Sequence, residues 1–341
     1  MLRDTLRKAA SGESLTEGEA ERALETIMEG NVPPAATAAL LTALRVKGES
    51  VPEIVGFARA MRRFAGKVDA PESVVDTCGT GGDAKGTINV STAAAFVARG
   101  AGVVVAKHGN RAATSRAGSA DVLEALGAEI ELGPAAVSRC IDESGIGFMF
   151  ARTHHPAMRF VAPVRAELPF RTVFNLLGPL TNPAGARRQL VGVFGGAYVR
   201  PVAEALRDLG ARKALVVHGK DGMDEITVTD ATIVADVSEE GIEEYEISPE
   251  DFGLSRHDPD GLLGGDAHLN ARILRDVLTG EERGAARDVV LINAGATIHV
   301  SGHARTIEQG VDLAKDSISD GSAVSALDRF VRTTRRLSGT V

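Results

Sequence analysis

Apolar side chains recur at helical spacing through the first 65 residues of the chain. Thr16 and Glu19 have the spacing of a capping box, which marks the start of a helix. The apolar stripe that follows consists of Ala20, Ala23, Leu24, Ile27 and Met28. A proline pair ends this helix, and further helices are predicted over Ala35–Arg45 and from Val51 onward. The pattern predicts a small helical domain, or part of a subunit contact.

From Ser73 onward, short β-branched runs alternate with helical stretches. The predicted strands are Ser73–Asp76, Gly102–Ala106, Leu190–Val193, Ala214–Val217 and Val289–Ile292. The predicted helices are Ser91–Arg99, Ala120–Leu126, Val199–Leu209 and Asn270–Leu278. This alternation predicts an α/β fold with an open, mostly parallel sheet. Ligands of such sheets usually sit beyond the carboxyl ends of the strands, so we expect the chemistry there.

The composition narrows the class of protein. At about 100–200 residues per domain, a chain of 341 residues allows roughly two domains. No apolar run reaches the roughly 18–20 residues of a membrane helix, and the first residues lack the apolar core of a secretion signal. Cys78 and Cys140 are too few for a disulfide framework or a cysteine-based zinc site. A soluble, cytoplasmic protein with no membrane partner is therefore expected.

The distribution of charge is more informative than its total. With 38 basic and 46 acidic residues the net charge is −8, which speaks against a general nucleic-acid binder. Residues 84–120 nevertheless contain no Asp or Glu. The basic residues in that stretch are Lys85, Arg99, Lys107, Arg111 and Arg116. We favour the interpretation that these basic residues create a local positive field that attracts an anion. The alternative is a buried α/β segment, in which carboxylates are scarce.

A glycine-rich loop, Asp76–Gly86, follows the first predicted strand and precedes a helix. Glycines let several backbone N–H groups converge on one oxyanion, and a helix N-terminus adds the positive end of its dipole. The loop is not a Walker A motif, and the acid that a dinucleotide site needs about 20 residues further on is missing. Asp83 would repel a phosphate but can accept hydrogen bonds from sugar hydroxyls. A flexible turn is the alternative, and the strand–loop–helix context favours the phosphate loop.

The next predicted strand ends in a second group of polar residues, Lys107–Arg111. Lys107 there can act as a point charge for a phosphate, and Asn110 can donate to a carbonyl or an amine. Gly118, Ser119 and Ala120 then begin a helix. Because neighbouring parallel strands end at the same edge of a sheet, both loops are expected to face one anion.

Four segments together resemble the motif set of the anthranilate phosphoribosyltransferase family. They are Gly79–Asp83, Lys107–Arg111, Asn175–Pro183 and Asp221–Glu225, and the resemblance extends from about Leu2 to Leu337. The glycine-rich loop alone is moderately specific, whereas the four segments in this order are highly specific. Met223 stands where leucine is common in the family, and Gly295 where alanine is frequent. Neither difference touches a functional group.

The resemblance implies a reaction and an architecture. 5-Phosphoribosyl 1-pyrophosphate (PRPP) and anthranilate would give N-(5-phosphoribosyl)anthranilate and pyrophosphate, a step toward tryptophan. A small all-helical domain would comprise residues 1–66 and about 165–180. Residues 73–341, without that segment, would form a large α/β domain whose mostly parallel central sheet is flanked by helices. The usual assembly would be a homodimer joined through the small domains.

The resemblance also implies roles for individual residues. The contacts to PRPP would be Gly79, Gly82, Asp83, Thr87, Asn89, Val90, Ser91, Thr92, Lys107 and Ser119. The contacts to anthranilate would be Gly79, His108, Asn110 and Arg165. The ligands of Mg²⁺, with two ions in each protomer, would be Ser91, Asp224 and Glu225.

These roles agree with elementary chemistry. Two adjacent carboxylates on a loop can face one magnesium site, although a solvated acidic turn is their commoner fate. Arg165 offers a fork for the anthranilate carboxylate, and a surface ion pair is the alternative. Because the aromatic amine is neutral and nucleophilic at pH 7, no residue is assigned as a general base. Lys107 and Arg165 would act by stabilising charge and by positioning. His154 and His155 lack a third metal ligand and are interpreted as pocket wall or hydrogen-bond donors.

Two other functions remain as alternatives. A pyrimidine nucleoside phosphorylase would share the general fold but would need a base pocket and no carboxylate pair. A non-catalytic, nucleic-acid-binding relative should be basic and should have lost the magnesium carboxylates. The acidic chain that retains Asp224 and Glu225 favours the transferase over both.

Overall fold

The computed structural model describes residues 2–82, 85–112 and 116–339. The chain begins with the helices α1 (Leu2–Ala10), α2 (Glu17–Met28), α3 (Pro34–Lys47) and α4 (Val51–Phe64). The predicted capping box of α2 is confirmed, because the Glu19 N–H donates to Thr16 Oγ1 at 3.3 Å and the Thr16 N–H donates to Glu19 Oε2 at 2.7 Å. α2 packs against α4 and α1 against α3, so that the apolar stripes of the four helices face one another.

A seven-stranded sheet forms the centre of the rest of the chain. Its strands are β1 (Val75–Gly79), β2 (Val105–Gly109), β3 (Ile146–Phe150), β4 (Arg188–Gly192), β5 (Lys213–Gly219), β6 (Thr232–Ser238) and β7 (Gly241–Ile247). Their order across the sheet is β3-β2-β1-β4-β5-β6-β7. The first five strands in this order are parallel, and β6 and β7 complete the sheet as an antiparallel hairpin. The expected α/β fold with a mostly parallel sheet is therefore confirmed.

The remaining helices fall into two groups. The first group packs on the sheet or on the helices that cover it, and consists of α5 (Val90–Gly100), α6 (Ser119–Ala125), α7 (Pro134–Ser144), α11 (Val199–Asp208), α12 (Ala267–Thr279), α13 (Ala285–Ser301), α14 (Ile307–Ser319) and α15 (Ser322–Ser338). The second group is α8 (Ala151–His154), α9 (Ala162–Glu167) and α10 (Phe174–Leu180). The apolar side chains of α9 and α10 belong to the same buried cluster as those of α2, α3 and α4. Within the described residues, no helix has both the length and the apolarity needed to cross a bilayer.

One predicted strand is wrong. Val289–Ile292 lies inside α13, which is buried along nearly its whole length. A helix that is apolar on all sides gives the same β-branched run as a strand buried on both faces. The first two strands begin two or three residues later than predicted, which places Lys107 and His108 inside β2.

Candidate active site

The two predicted anion loops leave the sheet side by side. β1 pairs in parallel with β2, with Val75 opposite Val105, so Gly79 and Gly109 end neighbouring strands at one edge. On its other side β1 pairs with β4, where Gly79 lies opposite Gly192. The expectation that the first two loops share one edge of the sheet is confirmed.

The glycine-rich loop folds around a carboxylate from a distant segment. The Gly81 N–H donates to Asp224 Oδ2 at 2.6 Å. A Cβ at position 79 would lie 2.5 Å from the same oxygen, so any other residue there would displace the Asp224 carboxylate. Gly81 and Gly82 have φ values of 67° and 79°, in the left-handed region that glycine tolerates. Asp83, a predicted PRPP contact, lies outside the described residues.

The acidic loop itself is held rigidly. Asp221 accepts hydrogen bonds from the Met223 N–H at 3.0 Å and from Thr227 Oγ1 at 2.7 Å. Asn293 on α13 pairs with both backbone groups of Ile226, at 3.1 and 2.8 Å. These contacts fix the backbone on both sides of Asp224 and Glu225, so that the buried Asp224 carboxylate faces the glycine loop.

The N-terminus of α5 contributes the next group of predicted PRPP contacts. Thr87 forms an isolated bridge with Leu263, and the Asn89 amide is bonded to Ala117 O and to Asn270. Val90 is fully buried, so only its backbone can face a ligand. Thr92 is also buried, and its hydroxyl has no partner among the described residues.

Lys107 joins β2 to β1 and α5 through a buried ammonium group. Its Nζ donates to Thr77 O at 2.5 Å and to Ser91 Oγ at 3.2 Å. Burial lowers the pKa of Lys107, whereas the charges of Asp76 and Glu225 oppose that shift. Burial likewise raises the pKa of Asp76, and the Lys107 charge works in the other direction. The positive charge of Lys107 is thus balanced by the carboxylates of Asp76 and Glu225 near the ends of the strands.

Asp76 and Asn182 tie this group to the segment after α10. Asp76 accepts hydrogen bonds from the His108 N–H at 3.1 Å and from Asn182 Nδ2 at 2.8 Å. Asn182 Nδ2 also donates to Ala106 O at 2.8 Å. Asn182, in the Asn175–Pro183 motif, therefore has a structural role, because it holds β1 and β2 together.

The residues predicted to contact anthranilate are arranged more openly. Arg165 on α9 is half-buried, and its guanidinium lies 5.4 Å from the centre of the Phe174 ring. Among the described residues it has no hydrogen-bond or ion-pair partner for its side chain, and burial lowers its pKa. Asn110 is exposed, and its Oδ1 accepts the Arg111 N–H at 2.9 Å. Ser119 Oγ donates to Asn110 O at 3.3 Å, which connects the second loop to α6.

Three buried histidines lie beside the end of β2. His108 Nδ1 is 3.2 Å from Gly178 O, and its ring packs 5.0 Å from that of His155, centre to centre. His154 Nδ1 is 3.0 Å from Phe150 O. Burial lowers the pKa of His108 to about 3 and that of His155 to about 4, so both rings are neutral at pH 7. The interpretation of His154 and His155 as wall residues fits this environment, and His108, a predicted anthranilate contact, lies beside them.

Oxygen atoms are the metal donors that the site offers. Asp224, Glu225 and the Ser91 hydroxyl suit Mg²⁺, which prefers oxygen and usually keeps some of its water or phosphate ligands. Lys107 connects these residues, because it is bonded to Ser91 and its charge interacts with that of Glu225. Within the part of the chain that the structure describes, no three His, Cys, Asp or Glu side chains form a metal-binding group. The donor set therefore fits an ion that is shared with a phosphate-bearing ligand.

Sequence reasoning missed two residues that shape the site. The Arg171 guanidinium donates to Gly82 O and lies 4.1 Å from the centre of the Phe194 ring, so it connects the segment between α9 and α10 to the glycine loop. Asn270 on α12 reaches Asn89. Neither position carries a local pattern that predicts such a contact.

Comparisons with known proteins support one family. Residues 71–324 match the α/β domain of a glycosyl transferase family, and residues 3–65 match the helical bundle domain of that family. The anthranilate phosphoribosyltransferase of Rubrobacter xylanophilus is 80% identical over 339 residues, which are 99% of each chain.

Solved structures give the same result. The crystal structure of anthranilate phosphoribosyltransferase from Thermus thermophilus has 48% sequence identity and a TM-score of 0.93, and the match covers 97% of this chain and 99% of that one. The Saccharomyces cerevisiae enzyme, solved in complex with PRPP and Mg, has 28% identity and a TM-score of 0.90 over 98% of both chains.

Proposed function

The chain belongs to the anthranilate phosphoribosyltransferase family, and we infer from this membership and from the site the reaction that it catalyses. It is a glycosyltransferase that transfers the 5-phosphoribosyl group of PRPP to the amine of anthranilate. The products are N-(5-phosphoribosyl)anthranilate and pyrophosphate, in tryptophan biosynthesis. One observation carries the assignment to this site: the glycine loop, Lys107 and Asp224 meet at one edge of the sheet.

The site residues divide into a donor side and an acceptor side. We assign to the PRPP donor the described residues Gly79, Gly82, Thr87, Asn89, Val90, Ser91, Thr92, Lys107 and Ser119. We assign to anthranilate Gly79, His108, Asn110 and Arg165. The donor residues are supported by their convergence on the strand ends, and Arg165 by a half-buried guanidinium that has no anionic partner among the described residues.

Catalysis by these residues is electrostatic. As the bond between the sugar carbon and pyrophosphate breaks, negative charge grows on the leaving oxygens, and Lys107 and the N–H groups of the glycine loop stabilise it. Arg165 can hold the carboxylate of anthranilate with its fork and so direct the amine toward the sugar carbon. The amine is neutral and nucleophilic, so no general base is required to deprotonate it before attack.

We propose that Ser91, Asp224 and Glu225 hold magnesium, with two ions in each protomer when PRPP is bound. The bound ions would supply neutralisation of charge on the pyrophosphate. The oxygen-only donor set and the position of Asp224 against the glycine loop support this assignment.

The helical domain, residues 1–66 with about 165–180, is proposed as the contact of a homodimer. Its surface carries the apolar side chain of Val46, which is 83% exposed, and the partly exposed ring of Phe170. Light scattering coupled to size exclusion tests the dimer, and Val46→Glu should weaken it. Both cysteines are buried free thiols, which is compatible with a cytoplasmic location.

Depletion of anthranilate, followed by its fluorescence, tests the activity. The chain contains no tryptophan, so the protein adds little background. Depletion should require both PRPP and Mg²⁺. Cleavage of thymidine or uridine by phosphate, without depletion of anthranilate, would instead identify a nucleoside phosphorylase. A gel shift of nucleic acid at physiological salt would instead support the alternative of a non-catalytic, nucleic-acid-binding relative.

A further inference from the structure

A relay of two side-chain amides crosses behind the proposed donor site. Asn270, buried in the first turn of α12, accepts the Gly265 N–H on Oδ1 at 2.7 Å. Its Nδ2 donates to Asn89 Oδ1 at 2.9 Å. Asn89 Nδ2 then donates to Ala117 O at 3.2 Å. The relay begins at a backbone donor and ends at a backbone acceptor.

These two ends determine the orientation of both amides. A backbone N–H can only donate, so the atom of Asn270 that faces Gly265 is its oxygen, and its nitrogen faces Asn89. By the same reasoning Asn89 turns its oxygen to Asn270 and its nitrogen to Ala117. Rotating either amide by half a turn would bring two donors or two acceptors together. Asn270 thereby selects one orientation of Asn89.

The relay joins elements that are far apart in sequence. Asn89 is the residue before α5, at the end of the short segment that joins the glycine loop to this helix, and Ala117 lies just before α6, where the loop after β2 ends. The segment that precedes α12 supports the same place through its backbone. The Gly264 N–H donates to Gly86 O at 2.9 Å, and the Ile88 N–H donates to Leu262 O at 3.0 Å. The spacing between the two donor loops is therefore set from α12.

We propose that Asn270 is a positioning residue of the donor site, which acts through Asn89 to hold the ends of the two donor loops at the spacing that PRPP requires. The inference rests on the proposed function, because it assumes that PRPP occupies these loops. Anthranilate is assigned mainly to residues on the other side of the site, so its binding should be insensitive to Asn270. A role in folding alone would not distinguish between the two substrates.

Asn270→Asp is the most direct test, because it keeps the size and the acceptor for Gly265 but removes the donor to Asn89. Loss of one hydrogen bond that leaves a buried acceptor unpaired predicts a rise of about tenfold in the KM for PRPP. The KM for anthranilate should stay within about twofold of its wild-type value. Asn270→Ala should have the same selectivity, and it serves as the second variant if the aspartate destabilises the fold.

Thr334→Val provides the matched control. Thr334 is equally buried and accepts the Glu129 N–H at 3.1 Å, on α15 and away from the donor residues. It should lower the melting temperature and leave both KM values unchanged. In an Asn89→Ala background, Asn270→Asp should change the KM for PRPP by less than about twofold, because its target is already gone.

The outcomes distinguish failure of the inference about Asn270 from failure of the proposed function. Selective loss of PRPP affinity, absent in the Asn89→Ala background, supports the inference. An unchanged KM for PRPP in both Asn270 variants, or equal rises for both substrates, overturns it and leaves the transferase activity standing. A wild-type chain that binds no PRPP in calorimetry overturns the proposed function, and the inference is overturned with it.

Discussion

The donor side and the acceptor side of the site are built in opposite ways. On the donor side, Lys107, Asn89 and Asp224 all have hydrogen-bond partners within the protein. On the acceptor side, the Arg165 guanidinium has no hydrogen-bond or ion-pair partner among the described residues, and the buried, neutral ring of His155 packs against the predicted acceptor residue His108. The charged and amide groups of the donor side are thus satisfied within the protein, with the Thr92 hydroxyl as an exception, whereas the acceptor side presents a guanidinium without a partner among the described residues.

The difference follows from what each side must do. Charge that develops on leaving oxygens is best stabilised by dipoles that are fixed in advance, because they need no reorganisation during the reaction. Donor groups on strand ends and on a helix N-terminus meet this requirement. A buried polar group left unpaired costs about 1–3 kcal/mol, so the half-buried Arg165 guanidinium reduces stability until a ligand satisfies it. The acceptor side is therefore less stable without ligand, but its polar group remains available to bind one.

Removal of Lys107 should have the largest effect, because it removes the central positive charge of the donor side. Lys107→Met is expected to lower kcat/KM by about 10³-fold, the size of effect seen when one preorganised donor is removed. Steady-state kinetics at saturating Mg²⁺ would measure the loss. A decrease of less than about tenfold would mean that the ammonium group is only a counter-charge for Asp76.

A double variant separates these two roles of Lys107. Asp76→Asn combined with Lys107→Met removes both buried charges together. Because the fully buried Asp76 carboxylate is no longer left without its counter-charge, the free energy of unfolding should recover by several kcal/mol relative to Lys107→Met alone, which urea unfolding would show. Activity should stay low, since Lys107 is still missing. Recovery of both activity and stability would assign the residue to folding.

The next largest effect is expected from the carboxylates of the donor side. Asp224→Asn with Glu225→Gln should lower kcat by about 10²-fold and raise the Mg²⁺ concentration at half-maximal rate by at least about tenfold. A magnesium titration of the rate is the measurement. The exposed neighbouring acids Glu239 and Glu240 give a matched control, because changing both to Gln removes the same charge from a solvated turn. Equal titrations of the two double variants would contradict the metal assignment.

The two sides also differ in how far the sequence predicts them. The donor loops were predictable because each lies next to its own strand, and parallel pairing places neighbouring strand ends together. The capping box of α2 was equally local. The Val289–Ile292 segment failed because an apolar run of this length has no period that separates a buried helix from a buried strand.

The local pattern of residues in the sequence does not predict contacts between distant segments. Asn270 meets Asn89 across 181 positions, and Asn182 meets Asp76 across 106. No spacing in the sequence marks such pairs, since they depend on how α12 and the segment after α10 pack on the sheet. Arg165 was assigned through the resemblance alone. Its open environment became visible only in the structure, which shows a half-buried guanidinium beside Phe174.

Arg165→Ala tests whether the unpaired charge of the acceptor side binds a carboxylate. Loss of a charged, two-pronged hydrogen bond predicts a rise of about 50-fold in the KM for anthranilate, while the KM for PRPP should change by less than about twofold. Arg165→Lys keeps the charge but not the fork, so its effect should be intermediate. Parallel rises for both substrates would show that Arg165 supports the whole site and not the acceptor alone.

The smallest expected effect concerns the stability that the acceptor side gives up. Burial lowers the pKa of His155 from 6.5 to about 4, so the folded chain excludes a proton that the unfolded chain accepts below pH 6.5. The contribution of His155 to the free energy of unfolding should therefore fall by about 1.4 kcal/mol per pH unit as the pH drops from 6.5 toward 4, and this loss should be absent above 6.5.

His155→Phe keeps a ring against His108 and removes the titrating group, so it should retain about 2 kcal/mol at pH 5 that the wild type loses. Urea unfolding at pH 7 and at pH 5 would give the difference. His268 on α12 is exposed in the folded chain as in the unfolded one, and His268→Phe should leave the wild-type loss intact. If His155→Phe loses as much stability as the wild type, burial of the His155 ring does not account for the loss of stability at acid pH. The loss would then be assigned to the other buried ring of the acceptor side, His108, whose pKa burial lowers to about 3.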